Sequence, residues 1–391
     1  MLQNETPIYL DYAATTMIDP LVSDVMIEHL KSMQYYGNPS SAHHRYGFIA
    51  RKTIEEARQT VAELINAEPE EIIWTSGTTE SINLALKGIA HSYKNFGNHI
   101  ITVETEHKAV LEVCHKLSAE GFIVTYLPVD QEGRVDAKVL ESAIRSETIL
   151  ISVMHVNNET GVIQDVEKFA EIAHRHNVLL HVDAAQSIGK LPINVRQSKV
   201  DLMSLCSHKI YGPKGIGALY VRSEPPILIQ AEINGGGQEN GLRSGTLATH
   251  QIVGMAKALK IAQENMNKDY RHAVLLKDIA LSAMLQIEGV SMNTPKINTV
   301  PNILNLCIDG VKNIALLSRL KKVAISSGSA CSSSGGKSGS HVLKAMGLNE
   351  EKITNSIRIS WGRYTTQDDI KMGCHVLKQA IIALRKETVI L

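Results

Sequence analysis

Between residues 70 and 220, short apolar segments rich in β-branched residues alternate with longer amphipathic segments. A short apolar segment of this kind predicts a buried strand, and a longer one with apolar residues every three or four positions predicts a helix. The predicted strands are 71–75, 99–103, 122–128, 148–156, 178–183 and 201–205, with helices such as 108–120 and 166–176 between them. The alternation predicts an α/β fold whose mainly parallel central sheet has helices on both faces.

The pattern changes after about residue 260. A long amphipathic helix over 266–287 is followed by short strands and by a closing helix over 367–386, which together predict an α+β unit. The length of 391 residues also favours more than one domain, since a domain typically has roughly 150 residues. We therefore predict a large domain over 16–262 and a smaller α+β domain formed by 1–15 and 263–391.

Composition excludes several classes of function. The 40 Lys and Arg residues balance 40 Asp and Glu residues, so we expect neither direct nucleic-acid binding nor attraction to an anionic membrane. The N-terminus lacks the features of a signal peptide, and the chain has no apolar run of the roughly 18 residues that a membrane span needs. The five dispersed cysteines include no C-x-x-C pair, which favours a reducing, cytoplasmic location. No metal site is predicted, because neighbouring histidines such as His43 and His44 lack further ligands at a suitable spacing.

One segment has an unusual composition. Residues 326–340 read SSGSACSSSGGKSGS, with twelve Ser or Gly among fifteen residues and with Cys331 inside. Such a composition predicts a flexible loop, here between a strand over 322–325 and a helix over 341–346. The sequence thus places one cysteine on a predicted tether.

Three other segments suggest a cofactor. Residues 76–80 (SGTTE) follow a strand and begin a helix, where backbone N–H groups can bind a phosphate, although a capped turn explains this segment better when it is taken alone. Asp183 ends one strand, and Lys209 lies between another strand and a glycine-rich turn. Together they match what pyridoxal phosphate needs: a phosphate cradle, an acid for the ring nitrogen and a Schiff-base lysine. The acid favours the protonated ring, which then withdraws electrons.

A family resemblance extends over nearly the whole chain. The motifs that carry it are 9–16 (YLDYAATT), 37–43 (GNPSSAH), 75–80 (TSGTTE), 105–110 (TEHKAV), 155–161 (HVNNETG), 181–186 (HVDAAQ), 208–215 (HKIYGPKG), 235–238 (GGGQ), 243–246 (RSGT), 326–331 (SSGSAC) and 356–363 (SIRISWGR). In these motifs the chain resembles the cysteine desulfurases, the NifS-like and IscS-like branch of the class-V aminotransferases. The resemblance implies the fold of fold-type-I pyridoxal phosphate-dependent transferases.

The resemblance also implies roles at the cofactor. Lys209 would be the Schiff-base lysine and Asp183 the partner of the ring nitrogen. His107 would stack on the ring and relay protons, whereas without the resemblance it is best interpreted as a helix cap. The remaining expected cofactor contacts are Gln186 and Asn158 at the phenolic oxygen side, and Thr78, Thr79, Cys206 and His208 at the phosphate. Thr246 would reach the phosphate in the other subunit, which implies a homodimer.

For the substrate, the resemblance implies that Arg358 binds the carboxylate of L-cysteine, with Asn38 nearby. Cys331 would attack the sulfur, take it as a persulfide and leave L-alanine. The sulfur would then pass to an acceptor protein, such as an iron-sulfur scaffold or a thiolation enzyme. Two departures from the family pattern are Cys206, where relatives often have Ser, and Asn240, where they commonly have Arg.

Two alternatives remain at this stage. The chain could be another pyridoxal phosphate lyase or aminotransferase, such as a selenocysteine lyase, but the loop with Cys331 argues against this reading. It could also be a non-catalytic sulfurtransferase scaffold, against which the intact set of Lys209, Asp183 and His107 argues.

Overall fold

The computed structural model describes residues 6–328 and 339–390. The helices are Pro20–Lys31 (α1), Arg45–Ile65 (α2), Thr78–Tyr93 (α3), Lys108–Ala119 (α4), Ala137–Ala143 (α5), Val166–Arg175 (α6), Val195–Ser198 (α7), Thr249–Met284 (α8), Asn313–Arg319 (α9), His341–Ala345 (α10), Glu350–Thr354 (α11) and Gln367–Ile390 (α12). The strands are Ile8–Tyr9 (β1), Ile72–Thr75 (β2), His99–Val103 (β3), Ile123–Leu127 (β4), Thr148–Met154 (β5), Leu179–Asp183 (β6), Leu202–Cys206 (β7), Gly217–Val221 (β8), Val290–Met292 (β9), Ile303–Ile308 (β10), Val323–Ala324 (β11) and Ser356–Ser360 (β12).

The central sheet has seven strands in the order β2, β8, β7, β6, β5, β3, β4. Strands β4, β3, β5, β6 and β7 pair in parallel, and β8 pairs antiparallel with both β7 and β2, so β8 is the one described strand of this sheet that runs opposite to the others. This sheet confirms the predicted α/β class and its mainly parallel character. Because the carboxyl ends of parallel strands meet at one edge, the loops that follow these strands converge there.

Helices cover both faces of this sheet, as the sequence pattern predicts. Successive side chains of a strand point to opposite faces. Ile72 and Trp74 of β2 therefore join a core that includes residues of α2, α6 and α8, whereas Ile73 joins a second core that includes α3 and α4. The sheet is thus buried on both sides, which explains the near-continuous apolar strands.

A smaller sheet lies farther along the chain. Strands β9, β10 and β12 form an antiparallel sheet in the order β12, β10, β9, and β1 pairs in parallel with β11. Their apolar residues share a third core with α12 and with the second half of α8, including Leu276 and Met284. The mixture of short strands and long helices is the α+β pattern expected after residue 260.

The long helix α8 begins earlier than the sequence predicts. The pattern indicates a start near Met266, but the helix begins at Thr249 and runs for 36 residues. Its first half, from Ile252 to Ala262, is buried at almost every position beneath the central sheet. A helix buried on most sides has no amphipathic period to recognise. The domain boundary placed at residues 262 and 263 falls inside this helix and stays a prediction.

Candidate active site

Five strand ends bring most of the expected site residues together. Strands β2, β3, β5, β6 and β7 all end at the same edge of the central sheet. The residues that end or follow them include Thr78, His107, Asn158, Asp183 and Lys209. Segments more than a hundred residues apart in the sequence therefore meet because parallel pairing brings their carboxyl ends to one place.

A cavity of about 390 Å³ opens at this edge. Nine expected site residues line it: Thr78, Thr79, His107, Asn158, Asp183, Gln186, His208, Lys209 and Arg358. Its size is within the range of roughly 300–1,000 Å³ that is usual for small-molecule sites. A single cavity thus contains most of the residues that the sequence motifs single out.

Four expected residues are not among those that line the cavity. Cys206 is buried at the end of β7, while Asn38 and Thr246 are exposed on the surface of this chain. The side chain of Asn38 accepts a hydrogen bond from the backbone of Ser40 and shapes a local turn. Cys331 lies outside the described residues.

The N-terminus of α3 supplies a phosphate-type cradle. Gly77 precedes the helix with φ of 150°, a backbone conformation that residues other than glycine rarely adopt. Gly217 approaches it so closely that a Cβ there would lie 2.6 Å from the Cα of Gly77. The first N–H groups of a helix have no partners within it and attract anions. The glycine-rich packing therefore leaves the helix end open to the cavity.

His208 also lines the cavity. Its Nδ1 is 3.1 Å from the hydroxyl of Thr15. Burial, together with a smaller contribution from the charge of nearby Lys209, lowers the pKa of His208 to about 4. The imidazole is therefore neutral at pH 7 and offers a hydrogen bond, not a charge, to an anion.

Asp183 ends β6 and is only 3 % exposed. Its Oδ1 accepts a hydrogen bond of 2.9 Å from the backbone of Ala185. This bond fixes the carboxylate at the floor of the cavity. A buried acid in this position can bind a protonated ring nitrogen, since opposite charges stabilise each other strongly away from water.

His107 combines the two roles that the sequence left as alternatives. Its Nδ1 accepts a hydrogen bond of 3.1 Å from the backbone of Ala109, so it caps α4. It also lines the cavity. Burial lowers the pKa of His107, Asp183 opposes that shift and Lys209 adds to it. The cap holds the ring at the cavity in its neutral form.

Arg358 is deeply buried, with 2 % of its surface exposed. Its Nη2 lies 2.7 Å from Oδ1 of Asp11, and its Nη1 donates to the backbone oxygen of Asn158 at 2.8 Å. Within the described part of the chain, its Nε has no hydrogen-bond partner. The guanidinium is thus held firmly at both terminal nitrogens, while its Nε has no partner among the described residues.

Three polar residues at the site escaped the sequence analysis. Glu159 lines the cavity, and its carboxylate accepts a hydrogen bond of 2.5 Å from Ser340. Burial raises the pKa of Glu159 and, to a greater degree, that of Glu106. His341 also lines the cavity, with its Nε2 2.8 Å from the backbone oxygen of Glu106. Glu159 and Glu106 belong to two of the family motifs, but the resemblance implies no role for either residue.

The two departures from the family pattern have local explanations. The thiol of Cys206 is 3.6 Å from the backbone oxygen of Ala185, and burial raises its pKa. Asn240 has φ of 55° and ψ of 31°. Asparagine tolerates this left-handed conformation better than most residues do.

The residues present fit pyridoxal phosphate. Thr78 and Arg358 both line this cavity, and neither the buried hydroxyl of Thr78 nor the Nε of Arg358 has a hydrogen-bond partner in residues 6–328 and 339–390. Thr78 does approach the thiol of Cys206, which is a weak partner. Buried polar groups are rarely left unpaired in a native protein, so such groups indicate a missing ligand. The helix N-terminus, the buried acid and the lysine supply the complementary chemistry.

The fold and the cavity are those of the fold-type-I pyridoxal phosphate-dependent transferases. The family model described as aminotransferase class-V matches residues 8–372. A cysteine desulfurase IscS of Vibrio vulnificus is 50 % identical over 379 residues, which cover 97 % of this chain and 94 % of that protein. The chain therefore belongs to the class-V aminotransferase family and, within it, to the group of the cysteine desulfurases, as the motifs predict.

Solved structures agree with this assignment. A structure described as a NifS-like protein superposes with a TM-score of 0.89 at 37 % identity, covering 97 % of this chain and all of that one. A structure described as SspA in complex with cysteine has a TM-score of 0.82 at 37 % identity, covering 92 % of this chain and all of that one. The predicted fold class is confirmed.

Proposed function

We propose that this protein is a pyridoxal phosphate-dependent cysteine desulfurase that converts L-cysteine to L-alanine and delivers the sulfur to an acceptor protein. The observation that carries the proposal is the single cavity that joins Lys209, Asp183, His107 and Arg358. These residues supply an amine, an acid, an aromatic ring and a carboxylate receptor. The family to which the chain belongs depends on pyridoxal phosphate, and the structural relative bound to cysteine supports this substrate.

When bound, pyridoxal phosphate supplies an electron-withdrawing ring that stabilises negative charge at the substrate's α-carbon. Asp183 strengthens that withdrawal because its buried carboxylate favours a proton on the ring nitrogen. Thr78, Thr79, His208 and the N-terminus of α3 hold the phosphate. His107 would stack on the ring, and Gln186 and Asn158 would contact its phenolic oxygen side; all three residues line the cavity.

Lys209 carries the proton transfers. Its amine holds the cofactor before substrate arrives and then removes the proton from the α-carbon. The neutral imidazole of His107, fixed by its bond to Ala109, is suited to pass a proton onward. Arg358 binds the carboxylate of L-cysteine and so orients the α-carbon toward Lys209.

Cys331 is the sulfur acceptor in this proposal. Its thiolate attacks the substrate's sulfur atom, so an S–S bond forms as the C–S bond breaks. The electrons of the broken bond stay with the carbon skeleton, which takes up a proton and leaves as L-alanine. Cys331 then carries a persulfide whose outer sulfur passes to the acceptor.

The proposal extends to the assembly. Asn38 and Thr246 are exposed on this chain and would contact the site of a second copy in a homodimer. An iron-sulfur scaffold or a thiolation enzyme would take the sulfur. No helix in 6–328 or 339–390 is long and apolar enough to cross a membrane, and we propose that the enzyme acts in the cytoplasm.

The test compares wild type with Lys209→Ala and Cys331→Ala, using visible absorption and release of sulfide and alanine from L-cysteine with dithiothreitol present. Wild type should be yellow and active. Lys209→Ala should lose the absorption of the lysine-bound cofactor, and Cys331→Ala should keep the colour but lose most turnover. The neighbouring Ser332→Ala is the matched control for Cys331→Ala and should behave as wild type.

Two outcomes would contradict the proposal in different ways. A colourless wild type that does not take up added pyridoxal phosphate would contradict the assignment of this cofactor. A fully active Cys331→Ala would remove the persulfide step and favour a lyase, such as one for selenocysteine.

A further inference from the structure

Lys190 is a second lysine beside the site, and the function described so far does not use it. Its Nζ donates a hydrogen bond of 2.8 Å to Oε1 of Gln186, four residues earlier. The Nε2 of Gln186 in turn donates to the backbone oxygen of Ala13 at 2.7 Å. Gln186 lines the large cavity. Lys190 is therefore hydrogen-bonded to Gln186, a residue that is expected to contact the cofactor, but does not itself line the large cavity.

These two bonds fix which end of the Gln186 amide lies where. A backbone oxygen can only accept a hydrogen bond, and a lysine amine beside a carbonyl donates. With the amide reversed, the oxygen of Gln186 would face the oxygen of Ala13, and its NH₂ would face the Nζ of Lys190. Lys190 and Ala13 therefore select the same orientation. The NH₂ group has a second hydrogen, which Ala13 does not use.

The surroundings of Lys190 differ from those of an ordinary surface lysine. Lys190 and Lys209 both line a side cavity of about 50 Å³ between the site and α8. Burial lowers the pKa of Lys190 to about 7, with a further contribution from Lys209; Arg358 acts in the same direction and Cys206 opposes it. The protonated amine has three donors and no acceptor, so in that form Lys190 rejects the reversed amide, and the neutral amine can still donate to Oε1 of Gln186.

We propose that Lys190 is a positioning residue that acts through Gln186: it turns the amide so that an N–H group, not the carbonyl oxygen, faces the phenolic oxygen of bound pyridoxal phosphate. This inference rests on the proposed function, because it assumes that this cofactor occupies the cavity. Without Lys190 the amide can rotate, and its oxygen then opposes an oxygen of the cofactor.

The test is a double-mutant cycle on Lys190→Met, Gln186→Ala and the double variant. Methionine is chosen because it is close to lysine in length but cannot donate. The readouts are the dissociation constant of pyridoxal phosphate from the cofactor-free protein and the position of its visible absorption band. Each single variant should bind about tenfold more weakly, the value of one hydrogen bond of roughly 1.4 kcal/mol. The double variant should bind no more weakly than Gln186→Ala, because both changes remove the same contact.

Lys190→Arg is the conservative control. It retains a donor at this position and should bind the cofactor within about twofold of wild type, with an unchanged absorption band. Urea unfolding of each cofactor-free variant checks the fold. If Lys190→Met does not fold, Lys190→Leu, which also lacks a donor, replaces it in the cycle.

Multiplicative losses in the double variant, or a Lys190→Met protein with wild-type affinity and absorption, would overturn the positioning role. In both cases wild type still binds the cofactor, so the proposed function survives. A wild type that binds no pyridoxal phosphate instead contradicts the proposed function itself.

Discussion

Two buried arginines serve different purposes in this molecule. Arg58 of α2 is 8 % exposed and Arg358 of β12 is 2 % exposed. Arg58 forms a two-pronged pair with Glu239, with both N–O distances 2.8 Å, and also bonds to Glu55 and to the backbone of Ile72. Arg358 has one carboxylate oxygen, from Asp11, and one backbone oxygen.

The two arginines differ in whether every nitrogen of the guanidinium has a hydrogen-bond partner. In Arg58 every nitrogen of the guanidinium has a partner. Burial alone would lower the pKa of Arg58, but its hydrogen bonds and charge interactions with Glu239 raise it. Arg358 has an Nε without a partner among the described residues, and its side chain lies among those that line the large cavity. A saturated buried charge indicates a structural role, whereas an incompletely paired one indicates a ligand.

The largest expected effect is on stability, at Arg58. Arg58→Ala leaves the Glu239 carboxylate, itself nearly inaccessible to solvent, without its cation. Breaking such a buried pair typically costs about 3–5 kcal/mol. Urea unfolding of the cofactor-free protein measures the loss. Lys52→Ala, which breaks the exposed pair with Glu56 on the same helix, is the control and should change stability by no more than about 1 kcal/mol. A loss below about 1 kcal/mol for Arg58→Ala would argue against a structural role.

The next effect is on catalysis, at Arg358. Arg358→Gln removes the charge that would receive the substrate carboxylate. We expect kcat/KM for L-cysteine to fall by about 10²–10³-fold, because losing one partner of a buried charged pair costs roughly 2–5 kcal/mol. Steady-state alanine release measures this, and Arg363→Gln is the comparison variant, since Arg363 pairs with Asp19 and Asp269 and does not line the large cavity. An unchanged KM and kcat in Arg358→Gln would remove the proposed substrate contact.

The sequence predicts which residues come together at the site better than it predicts the partners of either arginine. Strand ends and motifs predict that Asp183, Lys209 and His107 meet, because parallel strands order their carboxyl ends at one edge. The start of α8 is missed because burial on all sides removes its period. Residues such as Asp11 and Glu239 also cannot be paired from the sequence. Their partners are distant along the chain, and only the packed structure determines which donors are saturated.

The smallest expected effect is a loss of folding stability at acidic pH, and it involves buried histidines but neither arginine. His155, His181 and His208 lie within or just after strands of the central sheet, and burial lowers their pKa values to about 4, 3 and 4. A histidine that stays neutral in the folded state stabilises it fully above the unfolded pKa of roughly 6.5, and this stabilisation is lost as the pH falls. Arginines remain charged throughout this range. Acid sensitivity therefore arises from buried histidines of the central sheet and not from the two arginines.

His181 gives the cleanest test, because it is fully buried between the hydroxyls of Ser152 and Ser204, each 2.9 Å from a ring nitrogen. Between pH 7 and pH 5 it should account for a loss of about 2 kcal/mol in the free energy of unfolding. His181→Asn should be less stable than wild type at pH 7, but the gap should narrow by that amount at pH 5. Urea unfolding of the cofactor-free proteins at the two pH values measures it. Lys52→Ala, which alters only an exposed ion pair, should instead keep a constant gap to wild type, and a His181→Asn gap that is also constant would mean that this histidine does not remain neutral in the fold.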